Sequence, residues 1–254
     1  MSDNQEYFNQ IKQECINECK THSLKEVAEG MFATEEVADL FLKQEKEDEA
    51  YSFIIDLIGK YFTREAGGKI YIPGSGTGGL ARRIMDDYPK MTVIQIDSSP
   101  KMSEANKKAS KNYKNTDILQ GDILNLKQSP KSVSAIISYG VMRYIPEDKR
   151  NNLVSSWALA LVKNGIVIVG EGIAKDVIDG ISSQGYASEK LFERDAKLFR
   201  NSLFYTLLKR YHSDNKFRGI VNGEASDNNL SFADVLNKIA GYAHGKIYVK
   251  VLQK

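Results

Sequence analysis

A glycine-rich turn between an apolar strand and a helix is the strongest chemical signal in the sequence. It reads IYIPGSGTGGL over residues 70–80. Glycines let a ligand approach the backbone closely, because no side chain blocks the turn. The helix that follows directs free N–H groups and its positive dipole end at a polar ligand tail. The glycine spacing also fits a dinucleotide fingerprint, so this turn alone does not identify the ligand.

Polar segments follow the other predicted strands. Asp97 ends the second apolar strand, where a carboxylate can accept hydrogen bonds from both hydroxyls of a ribose. The third strand leads into QGDI at 120–123, and the fourth leads into SYGVMRYIP at 138–146. The segment LVKNG at 161–165 turns into the fifth strand. Ligands of open α/β folds bind at the carboxyl edge of the sheet, where such segments end.

In this order and spacing, the five segments resemble class I (Rossmann-like) S-adenosylmethionine-dependent methyltransferases over about residues 69–171. The resemblance implies an α/β fold with a seven-stranded, mostly parallel sheet flanked by helices and an N-terminal helical cap. It also implies methyl transfer from S-adenosylmethionine, with S-adenosylhomocysteine as the product. Since that cofactor is already activated, such proteins contribute mainly positioning and exclusion of water.

The resemblance also implies which residues bind the cofactor. The glycine loop is expected around the methionine tail, Asp97 at the ribose, Asp122 at the adenine and Tyr139 near the sulfonium. Ser98 and Met102 are expected beside the adenosine. The full expected set is Gly74, Ser75, Gly76, Gly78, Asp97, Ser98, Met102, Asp122, Ile123 and Tyr139.

Three residues are candidates on the substrate side, although no catalytic residue is identified. Arg143 and Tyr144 are expected at the mouth of the pocket, and Glu171 follows the fifth strand. Arg143 could pair with an acidic substrate group, Tyr144 could orient the acceptor, and Glu171 could accept a proton or an amine. For each, a surface or packing role stays open.

The sequence departs from the family pattern in four places. The acid expected two positions before the first motif glycine is replaced by Ile72, so another group must contact the cofactor's ammonium. Ser75 stands where cysteine or alanine is common, and Arg143 where histidine is frequent. The family ends with two strands, but only 246–252 reads clearly as one, and 217–221 is the candidate for the other.

We expect a single domain built from a helical cap (1–66), a cofactor-binding core (67–171) and a C-terminal part (172–254). In the last of these, 188–211 has the pattern of one long amphipathic helix. The cap and this predicted helical insert at 188–211 could together enclose a small molecule. Further strands are predicted at 69–72, 92–96, 116–119, 133–138 and 166–169.

Within the cap, most of the notable residues favour ordinary structural roles. The charge run EKEDE at 45–49 is predicted to be a solvated helix face. Ser23 begins a capping-box pattern, and Thr34 could cap a further helix. Tyr7, in the first predicted helix, could contribute to a lid. One apolar stripe with helical spacing consists of Phe8, Ile11, Cys15 and Cys19. This stripe favours core packing of both cysteines over a redox or metal site.

Composition restricts the partners. The net charge of the 254 residues is +2, which argues against a nucleic-acid partner, and the lysines at 101–114 are predicted to form a solvated face. His22, His212 and His244 lack metal-ligand spacing, so no metal is expected. No apolar run is long enough for a membrane span, and the N-terminus lacks a signal-peptide pattern, so we expect a cytoplasmic protein without a membrane partner.

The sequence leaves open several alternatives to a small-molecule methyltransferase. The acceptor could be RNA or protein, or the chain could bind S-adenosylmethionine without catalysis. A nicotinamide-dependent dehydrogenase is a further alternative, because Asp97 would serve NAD equally well, but the segments at 120–123 and 138–146 argue against it. A Rossmann-like core with an unused pocket is the last alternative. The cap could also serve a homodimer.

Overall fold

The structure is a computed structural model of the 254-residue chain. It describes residues 4–18, 27, 30–45, 48–125, 129, 131–172, 174–199 and 201–254. Cys19, His22 and the capping-box pattern at 23–26 lie outside the described residues.

Helices and strands alternate through the middle of the chain, as the sequence predicts. The strands are β1 (Gly68–Pro73), β2 (Met91–Asp97), β3 (Thr116–Gln120), β4 (Val133–Tyr139), β5 (Leu161–Gly172), β6 (Ser188–Phe199) and β7 (Tyr242–Gln253). The helices are α1 (Gln5–Glu18), α2 (Glu35–Gln44), α3 (Glu49–Ile58), α4 (Gly79–Asp87), α5 (Pro100–Ala109), α6 (Glu147–Ala160), α7 (Lys175–Asp179), α8 (Asn201–Ser213), α9 (Asn215–Asp227) and α10 (Phe232–Ala240).

Within the part of the chain that the structure describes, seven strands form one sheet in the order β3-β2-β1-β4-β5-β7-β6. The strands β1 to β5 pair in parallel, and β7 pairs antiparallel with β5. The predicted fold class is therefore confirmed. Because β1 has β2 on one side and β4 on the other, the loops after β1 and β4 meet at the point where the strand order reverses.

The central strands are apolar because helices cover the sheet. Residues 166–169 of β5 are all buried, and β4 buries five of its seven residues. A serine followed by a proline is typical of a helix start, and α5 begins there. The Ser99 hydroxyl accepts a hydrogen bond from the Met102 amide, and Pro100 occupies the first turn. These two residues specify where the helix after β2 begins.

Residues of the chain fall into two compact units. The sheet unit comprises Phe41–Ala196 and Gly245–Lys254, and the helical unit comprises Met1–Leu40 and Lys197–His244. These boundaries differ from the expected ones at 66/67 and 171/172. The reason is that α3, expected in the cap, packs on α4, whereas the end of the chain returns to the sheet as β7.

Two secondary-structure predictions for the C-terminal part are wrong. The segment 188–211 is not one helix, because β6 occupies its first half and α8 its second. The segment 217–221 is helical within α9, so β6 supplies the second of the late strands. The described part of β6 is a charged, mostly exposed edge strand, and pairing with β7 overrides its helical pattern.

In the helical unit, α1 packs on α8 and α10, and α8, α9 and α10 contact one another. Phe8, Ile11 and Cys15 are buried, as the core-packing prediction requires for them. The rings of Tyr211 and Phe232 stack with centroids 4.5 Å apart and join α8 to α10. None of the described helices has the length and apolar character that crossing a membrane requires.

Candidate cofactor site

The glycine loop after β1 adopts a conformation that only glycine takes readily. Gly74, Gly76 and Gly78 have φ angles of 67°, 55° and 85°. A Cβ at Gly74 would collide with Val141, and one at Gly78 would collide with Asn106. At Gly76 a Cβ would meet nothing within 4 Å. Gly74 and Gly78 thus allow close contacts within the protein, whereas Gly76 faces open space.

The loop after β4 has the same property. Gly140 has a φ of 70°, and a Cβ there would also meet nothing within 4 Å. The contact of Gly74 with Val141 joins this loop to the glycine loop. The open backbone at Gly76 and Gly140 therefore lies in two adjoining loops at the carboxyl edge of the sheet, where a ligand could lie against the main chain.

Asp97 ties the loop of β1 to the loop of β2. Its Oδ2 accepts a hydrogen bond from the Gly76 amide at 2.8 Å, and its Oδ1 accepts one from the Ser99 amide at 2.9 Å. Burial raises the pKa of Asp97, although the two amide donors oppose this shift. The carbonyl of Asp97 also accepts a hydrogen bond from the Gly121 amide at 2.9 Å, which brings the loop after β3 alongside.

The residues expected near the adenosine follow these loops. Met102 and Ile123 are buried, whereas Ser98 and Asp122 are exposed. The Asp122 carboxylate accepts a hydrogen bond from the Leu124 amide at 2.9 Å, which fixes the turn after β3. The structure thus brings the expected ribose and adenine residues to adjacent loops.

Tyr139 ends β4 and contacts a residue that the sequence did not single out. Its ring meets that of Tyr51 edge to face, with centroids 6.2 Å apart. Burial raises the pKa of Tyr139, and the nearby carboxylates Asp48 and Glu171 add to the shift. The Tyr139 hydroxyl therefore keeps its proton at neutral pH and can donate a hydrogen bond.

Two of the substrate-side candidates bind each other. Arg143 Nε donates to Glu171 Oε2 at 2.7 Å, and the Arg143 guanidinium also donates to the carbonyl of Gly172. Glu171 is fully buried, and burial raises its pKa against the opposing effect of Arg143. Tyr144 lies next to Arg143 in the 3-10 turn Met142–Tyr144. Glu171 is thus already engaged by Arg143.

The prediction that the charge run at 45–49 is solvated is wrong for Glu45. This residue is only 8% exposed, and its carboxylate binds the Thr77 hydroxyl and the Arg82 guanidinium. Asp48 caps α3, with its Oδ1 accepting from the Ala50 amide at 2.8 Å. The spacing of a charge run cannot show that one of its members meets an arginine 37 residues away.

In the described part of the chain, two buried hydroxyl groups without partners lie near the carboxyl ends of the adjacent strands β1 and β4. Among the described residues, Ser75 Oγ and Ser138 Oγ are buried and have no hydrogen-bond partner. Ser75 belongs to the glycine loop itself, and Ser138 precedes Tyr139 at the end of β4. Because buried polar groups are normally satisfied, an unpartnered hydroxyl in this loop favours a polar ligand there.

Comparison with known proteins agrees with this geometry. Residues 71–165 match the sequence profile of a methyltransferase domain family. The matched residues lie within the sheet unit. The resemblance to class I S-adenosylmethionine-dependent methyltransferases is thus confirmed, and the domain holds the glycine loop, Asp97 and the loop after β4.

The proteins similar to the chain include one sequence relative and two solved structures. A malonyl-[acyl-carrier protein] O-methyltransferase of Halalkalibacterium halodurans is 30% identical over 98 residues, which are 37% of this chain and 35% of the relative. Haemonchus contortus phosphoethanolamine N-methyltransferase 2, in complex with phosphomonomethylethanolamine and S-adenosylhomocysteine, superposes with a TM-score of 0.61 at 13% identity, covering 92% of this chain and 61% of that one.

A putative sarcosine dimethylglycine methyltransferase from Galdieria sulphuraria has a TM-score of 0.52 at 13% identity, covering 81% of this chain and 84% of that one. At these identities the structural likeness concerns the fold. The chain spans about a third of the length of the sequence relative that it matches.

Proposed function

We propose that this chain transfers a methyl group from S-adenosylmethionine to an oxygen or nitrogen atom of a small-molecule acceptor. The observation that carries the proposal is the arrangement of Asp97 under the glycine loop. Its carboxylate fixes the Gly76 amide, and the open faces of Gly76 and Gly140 lie in adjoining loops. These features belong to a methyltransferase domain, which favours S-adenosylmethionine over NAD.

The residues present fit this cofactor. The open backbone at Gly76 and the unpartnered Ser75 hydroxyl would hold the amino-acid tail, and Asp97 would accept hydrogen bonds from the ribose. Asp122 and Ile123 would lie at the adenine, with Ser98 and Met102 beside the adenosine. When bound, the cofactor supplies a methyl group that is already activated by the sulfonium charge.

The protein's own contribution is positioning. Tyr139, held against Tyr51, would orient the reacting groups as a protonated hydroxyl, since its raised pKa prevents it from acting as a base at neutral pH. Arg143 is positioned by Glu171, with its side chain 22% exposed. It could pair with an acidic group of the acceptor. No general base is assigned, because the need for one depends on the acceptor atom.

The acceptor class rests on the relatives. The Haemonchus enzyme is named as an N-methyltransferase and holds phosphomonomethylethanolamine, whereas the Halalkalibacterium relative is named as an O-methyltransferase. The proposal therefore includes both nitrogen and oxygen as acceptor atoms. An acceptor that is RNA or protein, and binding without catalysis, are alternative outcomes of the experiments.

Calorimetric titration tests the cofactor first. S-adenosylmethionine, S-adenosylhomocysteine and NAD would be titrated into the full chain, its D97A variant and a D117A control. Asp117 is an exposed carboxylate on the neighbouring strand β3, so D117A changes the charge without touching the loop. We expect the two sulfur nucleosides to bind, D97A to abolish binding, and D117A to leave it unchanged. Binding of NAD alone would overturn the proposal in favour of a dehydrogenase.

Transfer of labelled methyl groups tests the acceptor. Small amines, small carboxylic acids, total RNA and a protein extract would be incubated separately with the labelled cofactor. Label in a small molecule supports the proposal, and label only in RNA or protein would replace the acceptor class. Cofactor binding with no transfer to any of the four would favour a non-catalytic binding protein.

A further inference from the structure

Glu45 is a buried acid that reaches the glycine loop from outside the matched domain. It follows the last residue of α2 and belongs, like the loop, to the sheet unit. Its two carboxylate oxygens are used separately, one by the Thr77 hydroxyl and the other by the Arg82 guanidinium. Thr77 lies within the glycine loop, and Arg82 lies in α4 directly after it.

The main chain at Glu45 is held as well. Arg83 donates to the Glu45 carbonyl at 2.7 Å and to the Ser52 hydroxyl at 3.1 Å. A Cβ at Gly79 would overlap the Glu45 side chain, so the first residue of α4 must be glycine for this contact to form. Two consecutive arginines of α4 thus fix both the side chain and the backbone of Glu45.

Arg82 carries the constraint into the loop. Besides Glu45, it donates to the carbonyl of Thr77 at 2.8 Å and to the Ser110 hydroxyl at 3.1 Å. The Thr77 residue is therefore held twice, by its hydroxyl through Glu45 and by its carbonyl through Arg82. Both contacts act on the residue that follows Gly76, the glycine whose face is open.

Stability alone is a weak reason for such a pair. Burying two charges costs desolvation energy that their attraction only partly offsets, and apolar replacements of buried ion pairs are often neutral or stabilising. The side chains of Arg82 and Glu45 are only 15% and 9% exposed. In addition, β1 has Ile72 where an acid is expected, so Glu45 brings to the loop a carboxylate that the strand does not supply.

We propose that Glu45 is a positioning residue, which holds the glycine loop, through Thr77 and Arg82, in the shape that receives the amino-acid tail of the cofactor. This inference rests on the proposed function. The inference predicts a selective effect of Glu45 on binding. Glu45 should increase the affinity for nucleosides that carry the amino-acid tail and have little effect on the affinity for nucleosides that lack it.

Binding of two ligands to the full chain tests this selectivity. S-adenosylhomocysteine carries the amino-acid tail, and 5′-methylthioadenosine lacks it but keeps the ribose and adenine. We expect E45Q to weaken binding of S-adenosylhomocysteine about tenfold, the effect of losing one hydrogen bond to a charged group, with 5′-methylthioadenosine bound as by the unmodified chain. The control E65Q removes the exposed Glu65–Lys90 pair of the same unit and should change neither affinity.

A second pair of variants covers the case in which E45Q does not fold. T77V removes the hydroxyl that donates a hydrogen bond to Glu45, and T77S keeps that hydroxyl. We expect T77V to reproduce the selective loss and T77S to bind as the unmodified chain does. Equal weakening of both ligands, or no weakening of either, would overturn the role of Glu45. Failure of the unmodified chain to bind either ligand would overturn the proposed function itself.

Discussion

The guanidinium of Arg143 lies against the fully buried carboxylate of Glu171, with 2.7 Å between Arg143 Nε and Glu171 Oε2. The amide of Arg143 donates to the other oxygen of Glu171 at 3.3 Å. The carboxylate at the end of β5 is therefore committed to holding the loop after β4. Burial raises the pKa of Glu171, and the charge of Arg143 opposes this rise. Because Glu171 accepts hydrogen bonds from both the side chain and the amide of Arg143, it acts as a fixed support for Arg143.

Removing the carboxylate should destabilise the protein. In E171Q the guanidinium would stay largely buried without its counter-charge, and we expect the free energy of unfolding to fall by about 3 kcal/mol. Urea denaturation measures this change. The exposed pair of Glu65 and Lys90 gives the matched control, and E65Q should cost about 0.5 kcal/mol or less. Equal losses in E171Q and E65Q would contradict the assignment of a buried, supporting ion pair.

The open face of Gly76 predicts a selective effect of one added methyl group. G76A would place a Cβ in the open space where the proposed ligand would lie, and it would strain a residue whose φ is 55°. We expect binding of S-adenosylhomocysteine to weaken tenfold or more, while the free energy of unfolding falls by only about 1 kcal/mol.

A glycine away from the site controls for that strain. Gly185 has a φ of 90°, and a Cβ added there would lie 3.4 Å from the Ala158 Cβ, an ordinary contact distance. G185A should therefore lose similar stability and keep its affinity for S-adenosylhomocysteine. If G76A bound the ligand as well as G185A does, the open space at Gly76 would not be the ligand site.

Local sequence signals predicted the core of the fold because each of them is self-contained. The glycine loop, the Ser99 cap and the apolar run at 166–169 need only a few neighbouring residues to specify their structure. The strand β6 was missed because its charged side chains favour a helix, and only pairing with β7 makes it a strand.

The site shows the same difference between local and distant contacts. Asp97 could be placed from its position at the end of a strand, and its contact with Gly76 joins the ends of two consecutive strands. The contacts of Glu45 with Arg82 and of Tyr51 with Tyr139 join segments that are far apart in the sequence. No spacing rule connects such segments, so these residues could be found only from the structure.

Burial of Asp97 predicts an unusual pH dependence of cofactor binding. A carboxylate accepts hydrogen bonds from both ribose hydroxyls only when it is ionised, and burial raises the pKa of Asp97. As the pH falls, affinity for S-adenosylhomocysteine should therefore begin to fall at a pH above the usual aspartate value of about 4. Calorimetry between pH 8 and pH 4 measures this affinity. D97N is the control, and its affinity should be weaker and should change less with pH. A profile that is flat down to the usual aspartate range would contradict it.

The raised pKa of Tyr139 can be tested without knowing the acceptor. Since burial keeps its hydroxyl protonated, Tyr139 should not ionise in the folded protein near pH 10, where an ordinary tyrosine does. Ultraviolet absorbance titration of the folded chain and of Y139F should give equal tyrosinate signals up to about pH 11. In urea, where the burial is lost, Y139F should show one ionising tyrosine fewer than the unmodified chain. A difference of one tyrosine already present in the folded state would mean that Tyr139 ionises there, and that its hydroxyl could serve as a base.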